Sequence, residues 1–474
     1  MGDSRELGLL PAPARRARGG ARGAPDGDRW RSRPLGASQH SGAERRAADP
    51  GYTRGQGAHR APPAQGNGDS MSSIETRSMA PYSVITKPVS AVCNLDCDYC
   101  YYSRVLDMYP DPADRKMSDQ VLESFTQQVI EDSGGRAVFA WQGGEPLLAG
   151  LEFFEKALRM QRRLSPPGYV CMNTIQTNGI LLDDEWCEFL KKNHILVGLS
   201  VDGPATVHDV NRVDHAGKPS HERVMKGFRL LKKHGVDFNA LVVVSQANVG
   251  HGGKVFNYLV DQGATWIQFI PCTECRDDGR VTSHSVGGPE YGDFLCSVFD
   301  AWYPKHVGTV SVRIFENIAQ RATGGPPELC VFSPTCGNAV VLEANGDLYA
   351  CDHFVYDDYR LGSILETPIR DLVRREPCQN LARAKINPPE KCHTCPYQGL
   401  CYGGCPKGRF DPVTRTFGDA VLCEGYMKLF EHAYEPIQAI GWRAVRGEPL
   451  VPEAEMPKAQ PKKSRPGRKK RRKR

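Results

Sequence analysis

The 474-residue sequence has no long hydrophobic run. Its longest apolar stretches, such as residues 240–244, have the length of a β-strand, whereas a membrane-spanning helix needs about 20 apolar residues. The arginines near the N-terminus are not followed by the apolar core of a secretory signal. We therefore expect no membrane span and no export, and a cytoplasmic location is the default expectation.

The central part of the sequence also lacks an excess of positive charge, although the formal net charge is +6. The first 70 residues contain 12 Arg against 7 acidic residues, and residues 457–474 contain 11 Lys or Arg and no acidic residue. Residues 71–456 have 38 basic and 48 acidic side chains, a net charge of about −10. A nucleic-acid-binding domain would carry positive charge on a folded surface, so we expect no nucleic-acid partner.

Both ends of the chain are predicted to be disordered. Ala, Gly, Arg and Pro occupy 44 of the first 70 positions, and such a segment buries too little apolar surface to offset its chain entropy. We expect disorder over residues 1–75, with Met71 as a candidate start of the recognisable protein. A helical segment is expected at 431–456, followed by a disordered basic tail at 457–474.

From residue 82 onward, strand-like apolar runs alternate with segments of helical periodicity. Strands are predicted at 82–89, 137–141, 172–177, 195–201, 238–244 and 266–270. Helices are predicted at 118–131, 151–163, 184–192, 221–234 and 254–262, with a linking helical region at 289–303. Ser118 and Asp184 are the predicted N-caps, and Gly235 and Gly263 the predicted C-terminal stops.

Six consecutive strand–helix units predict a parallel sheet with right-handed crossovers. Such a series forms either a doubly wound sheet or an incomplete barrel. Cysteine, glycine and polar residues follow five of the strands, at 93–100, 143–146, 177–179, 200–203 and 271–272. Barrel enzymes carry their chemistry at this edge of the sheet, so the pattern favours the barrel.

Cys93, Cys97 and Cys100 have the spacing C-x3-C-x2-C directly after the first predicted strand. Three thiolates from one loop can bind three irons of a [4Fe–4S] cluster and leave the fourth iron open. The alternative is a zinc knuckle, which usually has four ligands in paired C-x2-C units. The spacing, with Tyr99 before the third cysteine, resembles the signature of radical S-adenosylmethionine (SAM) enzymes, in which the open iron binds SAM.

Eight later cysteines are enough for two complete four-ligand sites. Their spacing is C-x5-C-x14-C, then C-x2-C-x5-C-x3-C, then x17-C. Two zinc ribbons would also use eight cysteines. The full spacing resembles the SPASM domain of the anaerobic sulfatase-maturating enzymes, a branch of the radical SAM family, and the resemblance covers roughly residues 80–430.

This resemblance implies an α/β fold with two parts. A partial (β/α)6 TIM-like barrel would occupy residues 80–310, and a cysteine-rich SPASM domain that binds two auxiliary clusters would occupy residues 320–430. It implies three [4Fe–4S] clusters in all. The implied auxiliary ligands are Cys330, Cys336, Cys351 and Cys405 for one cluster and Cys392, Cys395, Cys401 and Cys423 for the other.

The resemblance also implies the residues of the reaction site. The implied SAM-binding residues are Tyr99, Gly144, Ser200, Arg212 and Thr273. Gly144 belongs to a Gly-Gly-Glu-Pro segment, in which glycine allows close backbone approach, and Arg212 would pair with the SAM carboxylate. Without the resemblance, Ser200 and Arg212 would be read as strand-end hydrogen bonding and surface charge.

Asp352 directly follows a predicted cluster ligand, and the resemblance implies that it is the general base. An acid in this position could instead tune the potential of the neighbouring cluster. Tyr102 is expected to line the substrate channel, with core packing as the alternative. The channel should bind an extended peptide, chiefly through its backbone.

The implied reaction is the oxidation of a sulfatase Cys or Ser side chain to Cα-formylglycine. Reduced ferredoxin or flavodoxin would supply the electron that cleaves SAM to a 5′-deoxyadenosyl radical, and this radical would remove a hydrogen from the substrate Cβ. Asp352 would take the thiol or hydroxyl proton, and an auxiliary cluster would accept the second electron. A thioaldehyde, where formed, would hydrolyse to the aldehyde.

Two alternatives remain open from the sequence. SPASM domains also occur in radical SAM enzymes that modify ribosomal peptides, and a non-catalytic electron-transfer or zinc-scaffold protein would belong to a different class. Most of the remaining cysteines are expected to be small buried hydrophobes. They are Cys171, Cys187, Cys272, Cys275, Cys296 and Cys378.

Overall fold

The computed structural model describes residues 82–452 and residue 454. The predictions for residues 1–75, for Met71 and for the basic tail at 457–474 lie outside these residues. Within the described part of the chain, every helix is too short or too polar to cross a lipid bilayer.

Ten strands form the main sheet, and six of them correspond to the predicted strands. They are β1 (Ser83–Thr86), β2 (Arg136–Trp141), β3 (Val170–Thr177), β4 (Leu196–Ser200), β5 (Phe238–Val244), β6 (Trp266–Pro271), β7 (Ser311–Val312), β8 (Ala339–Leu342), β9 (Asp347–Tyr349) and β10 (Arg360–Ser363). A separate hairpin pairs β11 (Phe410–Asp411) with β12 (Thr416–Phe417).

The order of the strands distinguishes the two predicted architectures. The main sheet runs β10-β9-β8-β1-β2-β3-β4-β5-β6-β7, and all pairs from β1 to β7 are parallel. A doubly wound sheet reverses its strand order at a switch point, whereas β1 to β7 follow one another in chain order without a reversal. The partial barrel is therefore confirmed.

The helices include all five that were predicted. They are α1 (Val105–Met108), α2 (Asp119–Asp132), α3 (Leu151–Leu164), α4 (Asp184–Lys192), α5 (Ala205–Asn211), α6 (His221–His234), α7 (Gly252–Gln262), α8 (Gly288–Trp302), α9 (Arg313–Ala322), α10 (Ile369–Leu372), α11 (Glu376–Ile386), α12 (Gln398–Cys401) and α13 (Cys423–Arg446). The predicted link at 289–303 corresponds to α8, and α13 forms much of the segment expected to be helical at 431–456.

Most of the predicted helix ends are confirmed, and one is wrong. The hydroxyl of Ser118 accepts a hydrogen bond from the Val121 backbone, as an N-cap does. At α4 the N-cap is Asp183, not Asp184, because Asp183 accepts the hydrogen bond from Trp186 N. Gly235 and Gly263 end their helices in the left-handed region, with φ of +63° and +94°.

The main core lies between the sheet and the helices that cover it. Alternate residues of each strand face this core, as Ala137, Phe139 and Trp141 do on β2, because successive side chains of a strand point to opposite faces. Phe125 of α2 and Phe154 of α3 pack edge-on against Trp141. Burial of these large apolar side chains is the main stabilising contribution to this layer.

The cysteine-rich segment extends the barrel sheet. Strand β8 pairs in parallel with β1, with Val340 beside Val84 and Leu342 beside Thr86, and β9 and β10 continue the sheet in antiparallel fashion. Because β8 is parallel to β1, its carboxyl end lies at the same edge as the loop of Cys93, Cys97 and Cys100. This pairing carries residues of the cysteine-rich segment to the barrel edge where the chemistry was predicted.

The long helix α13 crosses α8 at a contact made by glycines. A Cβ at Gly425 would lie 2.3 Å from the Gly288 carbonyl oxygen and 3.0 Å from Gly292 N. Real Cβ atoms do not approach backbone atoms so closely, so the crossing distance requires glycine at this position.

We predict that Gly425→Ala lowers the free energy of unfolding by about 1–3 kcal/mol, because the added methyl group overpacks the crossing. Inside a helix, alanine is otherwise favoured over glycine by about 1 kcal/mol. Anaerobic urea unfolding measures the change. The control is Gly250→Ala, where the added Cβ has no neighbour within 4 Å; a Gly425→Ala protein as stable as this control would contradict the prediction.

Candidate active site

The cluster loop, residues 93–102, is held to the barrel by backbone hydrogen bonds. Asp96 N donates to Val213 O at 2.8 Å, and Asp98 N donates to Asn211 O at 3.0 Å. All 17 cysteines of the chain lie among the described residues, and none of them is in a disulfide. Burial raises the pKa of the Cys93 thiol to about 12, so metal binding there must release a proton.

The Gly-Gly-Glu-Pro segment packs directly against the chain that leads into the cluster loop. Gly144 N donates to Ser90 O and Glu145 N to Val92 O, both at 2.8 Å. A Cβ on Gly144 would lie 2.1 Å from Val92 O. The glycine is therefore needed for the close approach of two backbones, one of which carries Cys93 on its next residue.

Glu145 is fully buried and joins the second strand end to the third. Its carboxylate accepts hydrogen bonds from Thr177 Oγ1 at 2.7 Å, Asn178 N at 2.8 Å and Leu147 N at 3.0 Å. Burial raises its pKa to about 7, with these hydrogen bonds acting in the opposite direction. Asn178 Nδ2 in turn donates to Asn94 Oδ1 at 2.7 Å, which extends the connection to the cluster loop.

Tyr99 belongs to a buried charged group. Its hydroxyl donates a short hydrogen bond to Asp202 Oδ2. Arg212 forms a two-pronged contact with the same carboxylate, with Nε at 2.8 Å from Oδ2 and Nη2 at 3.3 Å from Oδ1. Asp202 and Arg212 are 2% and 7% exposed. The structure therefore pairs Arg212 with a protein carboxylate and brings two predicted SAM-binding residues, Tyr99 and Arg212, together.

His208 is hydrogen-bonded to the group formed by Tyr99, Asp202 and Arg212. Its Nδ1 accepts a hydrogen bond from Asp202 N at 3.2 Å, so Nε2 carries the proton and donates to Ser220 Oγ at 3.0 Å. Ser220 Oγ donates onward to Arg212 O at 2.7 Å. Burial lowers the pKa of His208 to about 4, so the imidazole is neutral at pH 7 and acts as a fixed spacer.

Tyr101 holds the predicted base. Its hydroxyl donates to Asp352 Oδ2 at 2.9 Å, and its ring lies 4.8 Å from the ring of His353. The Cys351 thiol contacts Asp352 Oδ1 at 3.5 Å. Asp352 is thus held between the cluster loop and the first predicted auxiliary ligand set.

Tyr102 is buried in the core, and the structure favours the packing alternative over the channel. Its hydroxyl donates a short hydrogen bond to Glu343, which follows β8 and also accepts from Ser90 Oγ at 2.9 Å. Burial raises the pKa of Glu343 to about 7, with Lys87 acting against this rise. The Lys87 ammonium lies 4.1 Å from the centre of the Tyr102 ring.

The two other predicted SAM-binding residues lie at strand ends. Ser200 is the last residue of β4 and is 7% exposed. Thr273 is partly buried in the loop after β6. Both positions lie on the edge that carries the cluster loop, because β4 and β6 run parallel to β1.

Within each of the two predicted ligand sets, cysteines lie near one another, and the division into sets stays a prediction. Cys330, Cys336 and Cys405 lie within electrostatic range of one another, and Cys351 is in range of Cys336 and Cys405. The second set lines a cavity of about 230 Å³. Its cysteines are Cys392, Cys395, Cys401 and Cys423, with Tyr397, Met427 and Phe430 on the same wall.

The donor type of these sets fits iron–sulfur clusters, because each set offers four cysteine sulfurs and a [4Fe–4S] cube presents four irons to its ligands. In the described part of the chain, no group of three or more His, Cys, Asp or Glu side chains is close enough to hold one ion.

The other six cysteines match their prediction only in part. Cys187, Cys272 and Cys378 are buried, whereas Cys171, Cys275 and Cys296 are partly exposed. A β-bridge joins Cys275 to Val281 in the loop after β6.

Sequence reasoning did not assign roles to Asp202, Glu343, Tyr101 or Lys87. Two of them carried a usable signal. Asp202 and Glu343 are acids that come one or two residues after an apolar strand, at the edge where barrel enzymes place functional groups. Tyr101 and Lys87 gave no such signal, because their partners come from distant parts of the chain.

We predict that Gly144→Ala removes the iron of the cluster loop and leaves the auxiliary iron in place. The added methyl group must displace the Val92 backbone and with it Cys93. Iron analysis after anaerobic reconstitution should fall from about twelve to about eight atoms per chain. Gly250→Ala should keep about twelve iron atoms per chain. The same iron content in Gly144→Ala would contradict the role of Gly144 in packing the two backbones together.

We also predict that Asp202→Asn lowers the free energy of unfolding by about 3–5 kcal/mol, because it leaves Arg212 as an uncompensated buried charge. Denaturant unfolding under anaerobic conditions measures the change. The matched control is Glu222→Gln, which breaks an exposed pair with Arg229 and should cost less than about 1 kcal/mol. Equal effects of the two substitutions would refute the role of the buried pair.

Comparison with protein families gives two matches. The Radical SAM superfamily model matches residues 88–253, and the SPASM model, described as an iron-sulfur cluster-binding domain, matches residues 330–396. The first match includes the cluster loop, the Gly-Gly-Glu-Pro segment, Asp202 and Arg212. The matches confirm the predicted radical SAM and SPASM architecture, with iron–sulfur clusters and SAM as its cofactors.

Similar proteins extend over most of the chain. A serine-type anaerobic sulfatase-maturating enzyme of Bacteroides thetaiotaomicron is 39% identical over 370 residues, which cover 74% of this chain and 89% of that protein. A cysteine-type enzyme of Clostridium perfringens is 35% identical over 360 residues, covering 75% and 97%. The solved structure of native anSMEcpe with bound AdoMet and the Cp18Cys peptide matches with a TM-score of 0.71 at 34% identity, covering 77% of this chain and 100% of that one. The chain therefore belongs to the anaerobic sulfatase-maturating enzymes of the radical SAM superfamily.

Proposed function

We propose that this enzyme oxidises a cysteine or serine side chain of a sulfatase polypeptide to Cα-formylglycine without using oxygen. The observation that carries this proposal is the position of Asp352, which is held by Tyr101 of the cluster loop and is adjacent to Cys351. A base in this position lies between a site for the first cluster and a site for an electron acceptor. Similarity to both serine-type and cysteine-type maturating enzymes supports the substrate class.

The cofactors would be held by the cysteine sets already described. Cys93, Cys97 and Cys100 would bind the first cluster, and the two four-cysteine sets would bind the auxiliary clusters. When bound, the clusters and SAM supply a radical that removes hydrogen from the substrate Cβ and an acceptor for the remaining electron. The protein supplies the positions of these groups and the proton acceptor.

The ionisation of Asp352 suits a general base. Its burial acts to raise the pKa, but charge on His353 and Lys87 and the hydrogen bonds of Tyr101 and Cys351 outweigh burial and lower the pKa below its usual value. The carboxylate is therefore ionised at neutral pH and can accept the proton of a substrate thiol or hydroxyl. The Tyr101 hydroxyl fixes Oδ2 and orients the carboxylate for this role.

The SAM-binding role of Tyr99, Gly144, Ser200, Arg212 and Thr273 is part of this proposal. Support comes from their common edge of the sheet and from the contact of Tyr99 with the Asp202–Arg212 pair. Asp202 keeps Arg212 in a fixed orientation, and Arg212 in turn lies 5.4 Å from the centre of the Tyr99 ring. We assign Asp202 as a positioning residue for this group.

We infer that the electron donor is a reduced ferredoxin or flavodoxin and that the enzyme works in the cytoplasm. Eleven predicted ligand cysteines must stay reduced to bind clusters, and the cytosol keeps thiols in that state. A small electron-transfer protein of this kind is the chemical class that matches one-electron entry to a [4Fe–4S] cluster.

The test of the function uses two synthetic peptides that contain Cys-x-Pro-x-Arg or Ser-x-Pro-x-Arg. Each is incubated anaerobically with the reconstituted enzyme, SAM and a reductant, and the products are analysed by mass spectrometry. We expect the mass change to formylglycine on at least one peptide, together with 5′-deoxyadenosine. SAM cleavage without a change in either peptide would refute the assignment to sulfatases.

We predict that Asp352→Asn lowers formylglycine formation by about 10²-fold or more, because a general base contributes about 10²–10⁴-fold, while SAM cleavage continues. Asp358→Asn is the matched control, since Asp358 lies in the short 3-10 helix Asp357–Tyr359 and pairs with exposed Arg415. Cys97→Ala should abolish SAM cleavage. If Asp352→Asn reduced cleavage and aldehyde to the same extent, Asp352 would not be the base.

A further inference from the structure

Two buried cations lie between the two auxiliary cysteine sets. Lys385, near the end of α11, is 2% exposed, and Arg409, which precedes β11, is 6% exposed. A buried charge is costly unless an opposite charge or a network of hydrogen bonds compensates it. The groups around Lys385 and Arg409 therefore indicate which negative charge these cations compensate.

Lys385 is held by main-chain carbonyls of the ligand-bearing loops. Its Nζ donates to Val331 O at 2.7 Å, to Gly404 O at 2.6 Å and to Cys401 O at 3.5 Å. Val331 follows a ligand of the first set, Gly404 precedes another, and Cys401 belongs to the second set. The ammonium therefore contacts the backbone of loops that carry ligands of both sets.

Burial lowers the pKa of Lys385, and negative charge on nearby cysteines opposes that fall. These cysteines are Cys401, Cys405, Cys336 and Cys330, which carry negative charge when they bind metal as thiolates. Arg409 also contacts backbone carbonyls, with Nη1 donating to Ala384 O at 2.5 Å and Nε to Gly418 O at 3.0 Å. Cluster ligands on both sides are therefore the negative groups nearest to Lys385 that the mechanism uses.

We propose that Lys385 sets the reduction potentials of the two auxiliary clusters by placing a fixed positive charge between them. A cluster becomes more negative when it takes up an electron, so a nearby buried cation favours its reduced form. One cation shared between two sites favours reduction of both, which helps them accept the electron released from the substrate. This inference rests on the ligand sets of the proposed function but not on the identity of the peptide.

The test compares Lys385→Gln with the unaltered holoenzyme. Glutamine keeps a hydrogen-bond donor for the carbonyls but removes the charge. EPR-monitored redox titration of the reconstituted full-length protein measures the midpoint potentials, and added SAM identifies the signal of the cluster in the Cys93 loop. We expect the auxiliary potentials to become more negative in Lys385→Gln, with the first cluster unchanged and the iron content complete.

The matched control is Arg383→Gln. Arg383 lies two residues before Lys385 on α11, but its side chain is 52% exposed and paired with Glu376, so solvent screens its charge. Its substitution should leave the auxiliary potentials where they are. Unchanged auxiliary potentials in Lys385→Gln would overturn the proposal, and so would a loss of auxiliary iron, which would show that Lys385 mainly holds the loops together. Peptide is not needed in this titration, so a failure to form formylglycine would be a separate result.

Discussion

The shape of the cluster loop depends on three hydrogen bonds from tyrosines to carboxylates. Tyr99, Tyr101 and Tyr102 each donate to an acid on a different part of the fold. The acids are Asp202 after β4, Asp352 after Cys351 and Glu343 after β8. The backbone hydrogen bonds of Asp96 and Asp98 also hold the loop, but the tyrosine bonds join it to three further parts of the fold, and hydrogen bonds shielded from water are stronger than exposed ones. These contacts therefore fix the position of the loop, as backbone hydrogen bonds fix a strand in a sheet.

Two of the three carboxylates come from the cysteine-rich segment, which makes the two halves of the enzyme interdependent. The parallel pairing of β8 with β1 explains how this arises, since Glu343 leaves β8 at the edge where the cluster loop leaves β1. Asp352 comes after β9 and contacts the cluster loop through Tyr101. The barrel edge that holds the first three cysteines is thus completed only when the second half of the chain has folded beside it.

The sequence was sufficient to predict the strands and helices of the barrel, because their apolar periodicity is strong and their caps are ordinary. The division of the eight later cysteines into two ligand sets came from the family resemblance, and it stays a prediction. The sequence did not predict that β8 to β10 extend the sheet, since strands of three or four residues give little periodic signal. The N-cap of α4 was misassigned because Asp183 and Asp184 are adjacent and chemically identical, and only the backbone geometry distinguishes them.

The role of Arg212 shows the limit of residue-by-residue inference at the site. The sequence presents it as a cation free to bind a carboxylate of the cofactor, whereas the fold pairs it with Asp202 and supports it through Ser220 and neutral His208. These views are compatible, because a guanidinium has five N–H donors and Asp202 engages only one edge. A buried arginine already neutralised by one acid can offer its remaining donors to a second carboxylate without a large rearrangement. Asp202 then determines which way those donors point, so the pair acts as one unit, and neither member can be exchanged without changing the other.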